Sequence, residues 1–354
     1  MEINARIDKL KRSNIILNLM LLLGIILFFV LNIAVGSVYI PFPDVIKILL
    51  GQGSDNQVWV NIILKSRLPQ TITACLSGSG LAIGGLLMQT LFRNPLAGPS
   101  ILGISSGASL GVAFVIMFVG NIGGFAFSGI ATIGNFAIVF AAFAGSVLVL
   151  FLILFLARKV KNNAMLLIIG IMVGYISSSL VGVLQFYSIS ENVHAFAIWG
   201  LASFSNISWI QMKLFVPVIL IGLFFSFLLI KPLNMLLLGE NYAKNLGLNI
   251  RKYRLLIILV TGILTAVITA FCGPVAFLGL AVPHLARMLY STSNHKVLVP
   301  GVLFFGALLA LFCNLIARMP GFDGALPINA VTSMIGAPIV ISVILKKKKL
   351  NSLN

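Results

Sequence analysis

The sequence predicts an all-α polytopic membrane protein, and three observations support this fold class. Of the 354 residues, 60% are hydrophobic and only 9% are charged, whereas soluble domains carry about 25% charged residues. The mean hydropathy is +1.12. The apolar runs continue over about 20 residues, the length that an α-helix needs to cross a bilayer core of ~30 Å. Strands of a membrane β-barrel would instead alternate apolar and polar residues over roughly ten positions.

The apolar runs predict ten transmembrane helices, and a short extra helix is expected at 192–204. The eighth run is too short to cross alone and should be surrounded by protein. The whole chain, 1–354, is interpreted as a single transmembrane domain with a cytoplasmic loop region at 231–254. The predicted spans are 15–35, 62–91, 100–119, 130–157, 164–187, 212–230, 253–271, 276–289, 297–316 and 328–345.

The basic residues predict the orientation of the chain. Nineteen of the 24 lysines and arginines fall on one predicted side, which the positive-inside rule identifies as cytoplasmic. Both termini are therefore expected in the cytoplasm. The net charge of +17 does not indicate nucleic-acid binding, because no basic run is interleaved with aromatic residues. The remaining five basic residues are expected outside: Lys47, Lys65, Arg67, Lys213 and Arg318.

The first apolar run, 15–35, follows four basic residues and has the general look of a signal peptide. At about 20 residues it is longer than the ~7–15 residues of a signal-peptide core. We therefore interpret it as a retained first span.

The distribution of acidic residues bears on the energy source. All seven acids map to loops, helix ends or the short 192–204 region, whereas ion-coupled carriers usually need acids or histidines inside the membrane. No GxxxxGK[ST] phosphate loop is present, so a nucleotide motor would be a separate chain. An ion-coupled secondary transporter and a channel-forming protein remain as alternatives from other classes.

The segment 238–247, LGENYAKNLG, is the most informative stretch of the chain. It is polar, bounded by glycines and flanked by apolar spans. Glu240 begins a presumed short helix, where a carboxylate favours the positive end of the helix dipole. Gly247 can end that helix in a left-handed conformation. An ordinary cytoplasmic loop is the alternative, but the pattern LGxxxAxxLG favours a docking surface.

Three further segments carry recognisable patterns. QTLFRNPLA, at 89–97, ends the second span, and Pro95 must break the helix there. RLPQ, at 67–70, begins that span on the outer side. The segment 273–287 fits GxxxFxGLxxPHxxR. Its His284 lacks a nearby second ligand, so a structural hydrogen bond is favoured over a metal site.

Together these motifs resemble the FecCD-type permeases, the membrane subunits of type II ABC importers for iron–siderophore complexes, haem and cobalamin. The resemblance runs from about residue 67 to 346. It implies ten helices per subunit, a homodimer, two ATP-binding cassette subunits and an extracytoplasmic substrate-binding protein. It also implies a bacterial cytoplasmic (inner) membrane location and a translocation subunit that is not itself an enzyme. Neither a cofactor nor a metal site is expected.

The resemblance also assigns residues to three sites. In the outer site, Gln70 stands where the family has a second arginine, and Lys65 is available to compensate for it. The implied ATPase-coupling residues are Gly239, Glu240, Ala243, Leu246 and Gly247. Those for binding-protein docking are Arg67, Gln70 and Arg318. The implied inner-gate residues are Asn94, Pro95 and Leu96.

Overall fold

The computed structural model describes residues 2–52, 56–119, 131–160, 162–319 and 326–351, and its regular secondary structure over these ranges is helical. Two stretches are π-helical and one is a 3-10 helix: Ile62–Arg67, Phe114–Val119 and Pro99–Leu102. The α-helices are α1 (Glu2–Ala34), α2 (Phe42–Leu49), α3 (Gln57–Asn61), α4 (Leu68–Phe92), α5 (Ile104–Ala113), α6 (Ala131–Lys159), α7 (Asn163–Phe186), α8 (Ser190–Gly200), α9 (Trp209–Leu228), α10 (Ile230–Leu237), α11 (Glu240–Asn245), α12 (Ile250–Cys272), α13 (Leu278–Tyr290), α14 (His295–Ala317) and α15 (Ile328–Asn351).

Each of the ten predicted spans overlaps helical segments of the structure, although residue 130 lies outside the described residues. The span 62–91 joins the π-helical Ile62–Arg67 to α4, and 100–119 runs over the 3-10 helix, α5 and the π-helical Phe114–Val119. Within the part of the chain that the structure describes, seven helical segments are long and apolar enough to cross a membrane alone: Arg12–Ala34, Gln57–Phe92, Phe136–Lys159, Asn163–Phe186, Trp209–Leu228, Ile250–Cys272 and His295–Ala317. Two shorter apolar helices, Ile104–Val119 and Ile328–Ser342, and the 13-residue α13 complete the ten.

Helix α4 is the central element of the bundle. The apolar stretch that marks Gln57–Phe92 as a spanning segment is 83% buried inside the protein. Helix α4 packs against α9, α12, α13 and α14. Glycines permit the closest approaches: a Cβ added at Gly78 would lie 2.2 Å from the carbonyl oxygen of Gly306. A Cβ added at Gly85 would lie 1.7 Å from the carbonyl oxygen of Gly279. Small residues at helix crossings are how membrane helices bring their backbones together.

The structure corrects some of the predicted boundaries. The short helix expected at 192–204 is Ser190–Gly200. The second span begins earlier than residue 62, because α3 and the π-helical Ile62–Arg67 continue into α4. Amphipathic α2 was not predicted; it buries Val45 and Ile48 in a cluster with Ile33 and Ile63, and it exposes Phe42.

Candidate functional site

The coupling loop, which we define as residues 238–247, folds into the six-residue helix α11 between two glycines of positive φ. Gly239 precedes α11 with φ 116° and Gly247 follows it with φ 85°. Only glycine adopts such angles without strain, which explains the spacing of the two glycines in the sequence. The Gly247 N–H donates to the Lys244 carbonyl, and the short helix closes there.

One side of α11 is fixed to the membrane helices. The Ala243 side chain is fully buried, and the Ala243 carbonyl accepts a hydrogen bond from the Leu248 N–H at 3.0 Å. The Glu240 carboxylate lies 3.6 Å from the guanidinium of Arg254 on α12 and accepts a hydrogen bond from the Asn163 side chain. Arg254 also donates to the Val160 carbonyl at 2.9 Å. The position of α11 is therefore tied to the ends of α6, α7 and α12.

The other side of the loop presents apolar side chains to solvent. Leu238, Tyr242 and Leu246 are 62%, 55% and 52% exposed. We call these three residues, which recur every fourth position, the coupling face. A contiguous exposed apolar patch rimmed by polar residues is typical of a protein-binding surface. Lys244 and Asn245 supply an exposed polar rim.

The predicted inner-gate residues form a tight turn between α4 and the 3-10 helix. The Asn94 side chain accepts a hydrogen bond from the Leu96 N–H at 2.9 Å. The Pro95 carbonyl lies 2.8 Å from Nε2 of His284 on α13. Pro95 and Leu96 are exposed, whereas Asn94 is partly buried. The contact confirms the expected structural hydrogen bond of His284.

Arg93 joins this turn to the end of α10, next to the coupling loop, a contact that sequence reasoning missed. Its backbone adopts a left-handed conformation at the end of α4, with φ 49°. Its guanidinium donates to the carbonyls of Leu236 and Leu237 at 2.9 and 3.2 Å. These hydrogen bonds link the end of α10 to the turn that carries Asn94. Asn163, which holds Glu240, was missed too, since its neighbours in sequence give no sign of a partner 77 residues away.

The outer site has a different geometry from the one expected. Arg67 is only 1% exposed, and its guanidinium donates to three backbone carbonyls, those of Ile33, Ala34 and Val38. It was expected to face a partner, yet its donors point into the protein. Docking by Arg67 stays a prediction, and its position in this structure is that of a structural residue.

Gln70 and Arg318 lie close to Arg67 at the same end of the bundle. Gln70 is buried and donates to the side chain of Asn314 at 3.0 Å, which in turn donates to Asn32 at 2.7 Å. Arg318 is partly buried and donates to the Asn32 carbonyl at 3.3 Å. A Cβ added at Gly36 would lie within about 3 Å of both guanidinium groups, so the structure does bring the two arginines together.

Known proteins share both the sequence and the architecture. The model of the FecCD transport family matches residues 23–346. The vitamin B12 import system permease protein BtuC of Salmonella typhi is 33% identical over 96% of this chain and 98% of its own length. The BtuC of Citrobacter koseri is 34% identical over 80% of this chain and 82% of its own length.

Solved structures agree with these relatives. A metal-chelate type ABC transporter in an inward-facing conformation superposes with a TM-score of 0.79 and 30% identity, covering 93% of this chain and 98% of that one. PsaBC from Streptococcus pneumoniae, at 16% identity and a TM-score of 0.51, shares the fold only. The chain belongs to the FecCD transport family and is a permease with the type II ABC importer fold.

Proposed function

We propose that this chain forms, as a homodimer, the pathway of an ATP-driven importer that moves a metal chelate across the bacterial cytoplasmic membrane. Residues 1–354 act as one transmembrane domain with both termini in the cytoplasm. ATP is hydrolysed by two separate ATP-binding cassette subunits, and an extracytoplasmic binding protein delivers the substrate. Family membership and the geometry of the coupling loop support this assignment.

The coupling face is the observation that carries the proposal. An apolar patch on a loop that is otherwise polar costs solubility unless a partner covers it. The buried Ala243 and the anchored Glu240 hold the patch in place, so a push from the partner moves a rigid unit. Arg93 then transmits this movement to the turn that carries Asn94, Pro95 and Leu96, which we assign to the inner gate.

At the outer end, Arg318 is the residue best placed for contact with the binding protein. It is partly exposed, and the neighbouring Arg67 adds to the positive field there. Opposite charges across such an interface steer encounter and fix register more than they add affinity. Gln70 contributes through the buried network with Asn314 and Asn32, which supports the end of α14 that carries Arg318.

The substrate class is a large chelate: an iron(III)–siderophore complex, haem or cobalamin. The relatives named for vitamin B12 import and the structural neighbour of the metal-chelate type support this class. An ion-coupled carrier is disfavoured, because no acidic residue described by the structure lies in the seven long spanning segments.

Reconstitution in liposomes tests the proposal. The chain would be purified with its candidate ATPase and binding protein, and uptake of ferric siderophore, haem and cobalamin would be compared with and without ATP. We expect uptake of one class that requires all three components. ATP-independent uptake by this chain alone would instead identify a carrier.

A further inference from the structure

An open groove runs along the junction of α6 and α12, beside the coupling loop. It consists of two adjoining cavities of about 610 and 410 Å³. The two cavities share Arg158, Asn249 and Arg251 in their walls, so they form one continuous surface. Neither cavity belongs to the coupling face or to the gate turn described above.

One end of the groove is strongly basic. Exposed cationic side chains of both helices and of the coupling loop line it, and the described lining residues include no Asp or Glu. Two of the cations, Arg251 and Lys252, stand in the first turn of α12, where the helix dipole is already positive. Cations there destabilise a helix unless an anion compensates them. The exposed lining cations are Arg158, Lys159, Lys244, Arg251 and Lys252; the buried Arg254, which pairs with Glu240, also lines the groove.

The other end of the groove is apolar. Leu154 of α6 and Leu255, Leu256 and Leu259 of α12 line it, and all four are only partly buried. These leucines lie inside the spanning segments Phe136–Lys159 and Ile250–Cys272, within one to two helical turns of the cations. The groove therefore passes from cations at the ends of these two spanning segments to apolar side chains within them.

We propose that this groove binds one anionic phospholipid of the cytoplasmic leaflet. The phosphate lies among Arg158, Arg251 and Lys252, and an acyl chain runs along the leucines between α6 and α12. Basic pockets between membrane helices on the cytoplasmic side are suited to anionic headgroups. The site rests on the proposed topology, which places the coupling loop in the cytoplasm.

The apolar wall distinguishes a lipid from other anionic partners. Free phosphate would use the cations but gain nothing from Leu256. An ATPase subunit could cover Lys244 but could not reach leucines inside a spanning segment. A phospholipid is the ligand that matches both ends. Bound there, it would bridge α6 and α12, and since Arg254 of α12 holds Glu240, it would brace the base of the coupling loop.

The test measures retained phosphatidylglycerol on the purified full chain by native mass spectrometry, with no ATPase or substrate present. It can therefore fail or succeed independently of the transport assay. The variants are Arg158→Gln with Arg251→Gln, and separately Leu256→Gln. The matched control, Arg12→Gln with Lys296→Gln, removes two exposed cations from the same predicted side of the membrane.

We expect the groove double variant to bind phosphatidylglycerol about 25-fold more weakly, since each basic residue near a membrane surface contributes about fivefold. Leu256→Gln should also weaken binding, and the control should not. Equal loss in the control, or no loss in the groove variant, would overturn the proposal. The proposal would also be overturned if inorganic phosphate displaced the bound phosphatidylglycerol and Leu256→Gln had no effect on binding. That combination would indicate a site for a free anion. If lipid binding is unchanged while a separate pull-down shows that the groove variant no longer associates with the candidate ATPase subunit, the proposal is overturned in favour of a protein-docking surface.

A second measurement applies if the double variant does not fold. Tryptophan is placed at Leu256, or at the exposed Leu220 of α9 as a control, and its quenching by brominated lipids is recorded. We expect quenching at position 256 to saturate at a low fraction of brominated phosphatidylglycerol but not of phosphatidylcholine. At position 220, quenching should rise in proportion to the fraction of brominated lipid, whichever lipid carries the bromine. Identical curves at the two positions would contradict the site.

Discussion

Glu240 and Arg254 face each other at the base of the coupling loop, with 3.6 Å between carboxylate and guanidinium. The two partners are unequally buried: the Arg254 side chain is 7% exposed and the Glu240 side chain 39%. Arg254 also holds the Val160 carbonyl, and Glu240 also accepts from Asn163. This pair ties α11 to α12 and, through these further hydrogen bonds, to the ends of α6 and α7.

The unequal burial predicts unequal effects of removing each partner. Glu240→Gln should change the free energy of unfolding by less than about 1 kcal/mol, because a half-exposed ion pair contributes little. Arg254→Met should cost about 1–3 kcal/mol, since it leaves the partly buried Val160 carbonyl without its donor. Thermal unfolding of the two variants in the same detergent checks this. Equal shifts would contradict the assigned roles.

Ala243 is buried and its neighbour Lys244 is exposed, so the same substitution at the two positions compares a packed site with an open one. Ala243→Leu should displace α11, because overpacking a buried position costs about 1–3 kcal/mol. The binding assay should therefore show weaker association with the ATPase subunit. Lys244→Leu places the same side chain at an exposed position, where no packed space has to hold it, and should leave the loop in place. Normal ATPase association by Ala243→Leu would show that the buried position does not matter.

Close packing of α4 against α14 predicts a strong effect at Gly78. A Cβ there would meet the Gly306 backbone at 2.2 Å, and backbone cannot move aside as a side chain can. Gly78→Ala should lower Tm and the yield of folded protein. Gly182→Ala on α7 is the control, since a Cβ there meets nothing within 4 Å. Similar Tm values for both variants would argue against this crossing.

Substitutions of the two outer arginines should have different effects: one should lower the stability of the protein, and the other should weaken docking of the binding protein. Arg67→Met should destabilise the protein by at least about 2 kcal/mol, because three backbone carbonyls lose their donor. Arg318→Glu should leave Tm nearly unchanged and slow association of the binding protein about tenfold, as a reversed charge opposes steering. Surface plasmon resonance measures that rate. A stable Arg67→Met variant with impaired docking would restore the exposed role predicted from sequence.

The sequence was sufficient for the number and order of the spans, because continuous apolar runs report membrane crossing directly. It was also sufficient for the glycine-bounded helix at 239–247, since positive φ angles leave a mark in composition. Amphipathic α2 was missed because its eight residues are too few to stand out among apolar spans. The π-helical turns were missed because backbone register depends on tertiary packing.

The burial and the hydrogen-bond partners of single side chains were the features least predictable from the sequence. Arg67 is as charged as Arg318 in the sequence, and only the fold shows that the end of α1 and the α1–α2 connection together offer it three carbonyls. The hydrogen bond from Arg93 to α10 joins residues 143 positions apart, so no local sequence pattern predicts it. Whether such a side chain is buried and bonded depends on helices that are distant in sequence. A single sequence does not show which helices pack together.

Photocrosslinking from the coupling face tests the central claim most directly. A photoreactive amino acid would replace Leu246, or Tyr39 at the opposite end of the molecule, in the complex with the candidate ATPase. Both positions are exposed, so reactivity alone does not separate them. We expect crosslinks to the ATPase from position 246 and none from position 39. A complex that drives ATP-dependent uptake while position 246 gives no crosslink would contradict docking at the coupling face.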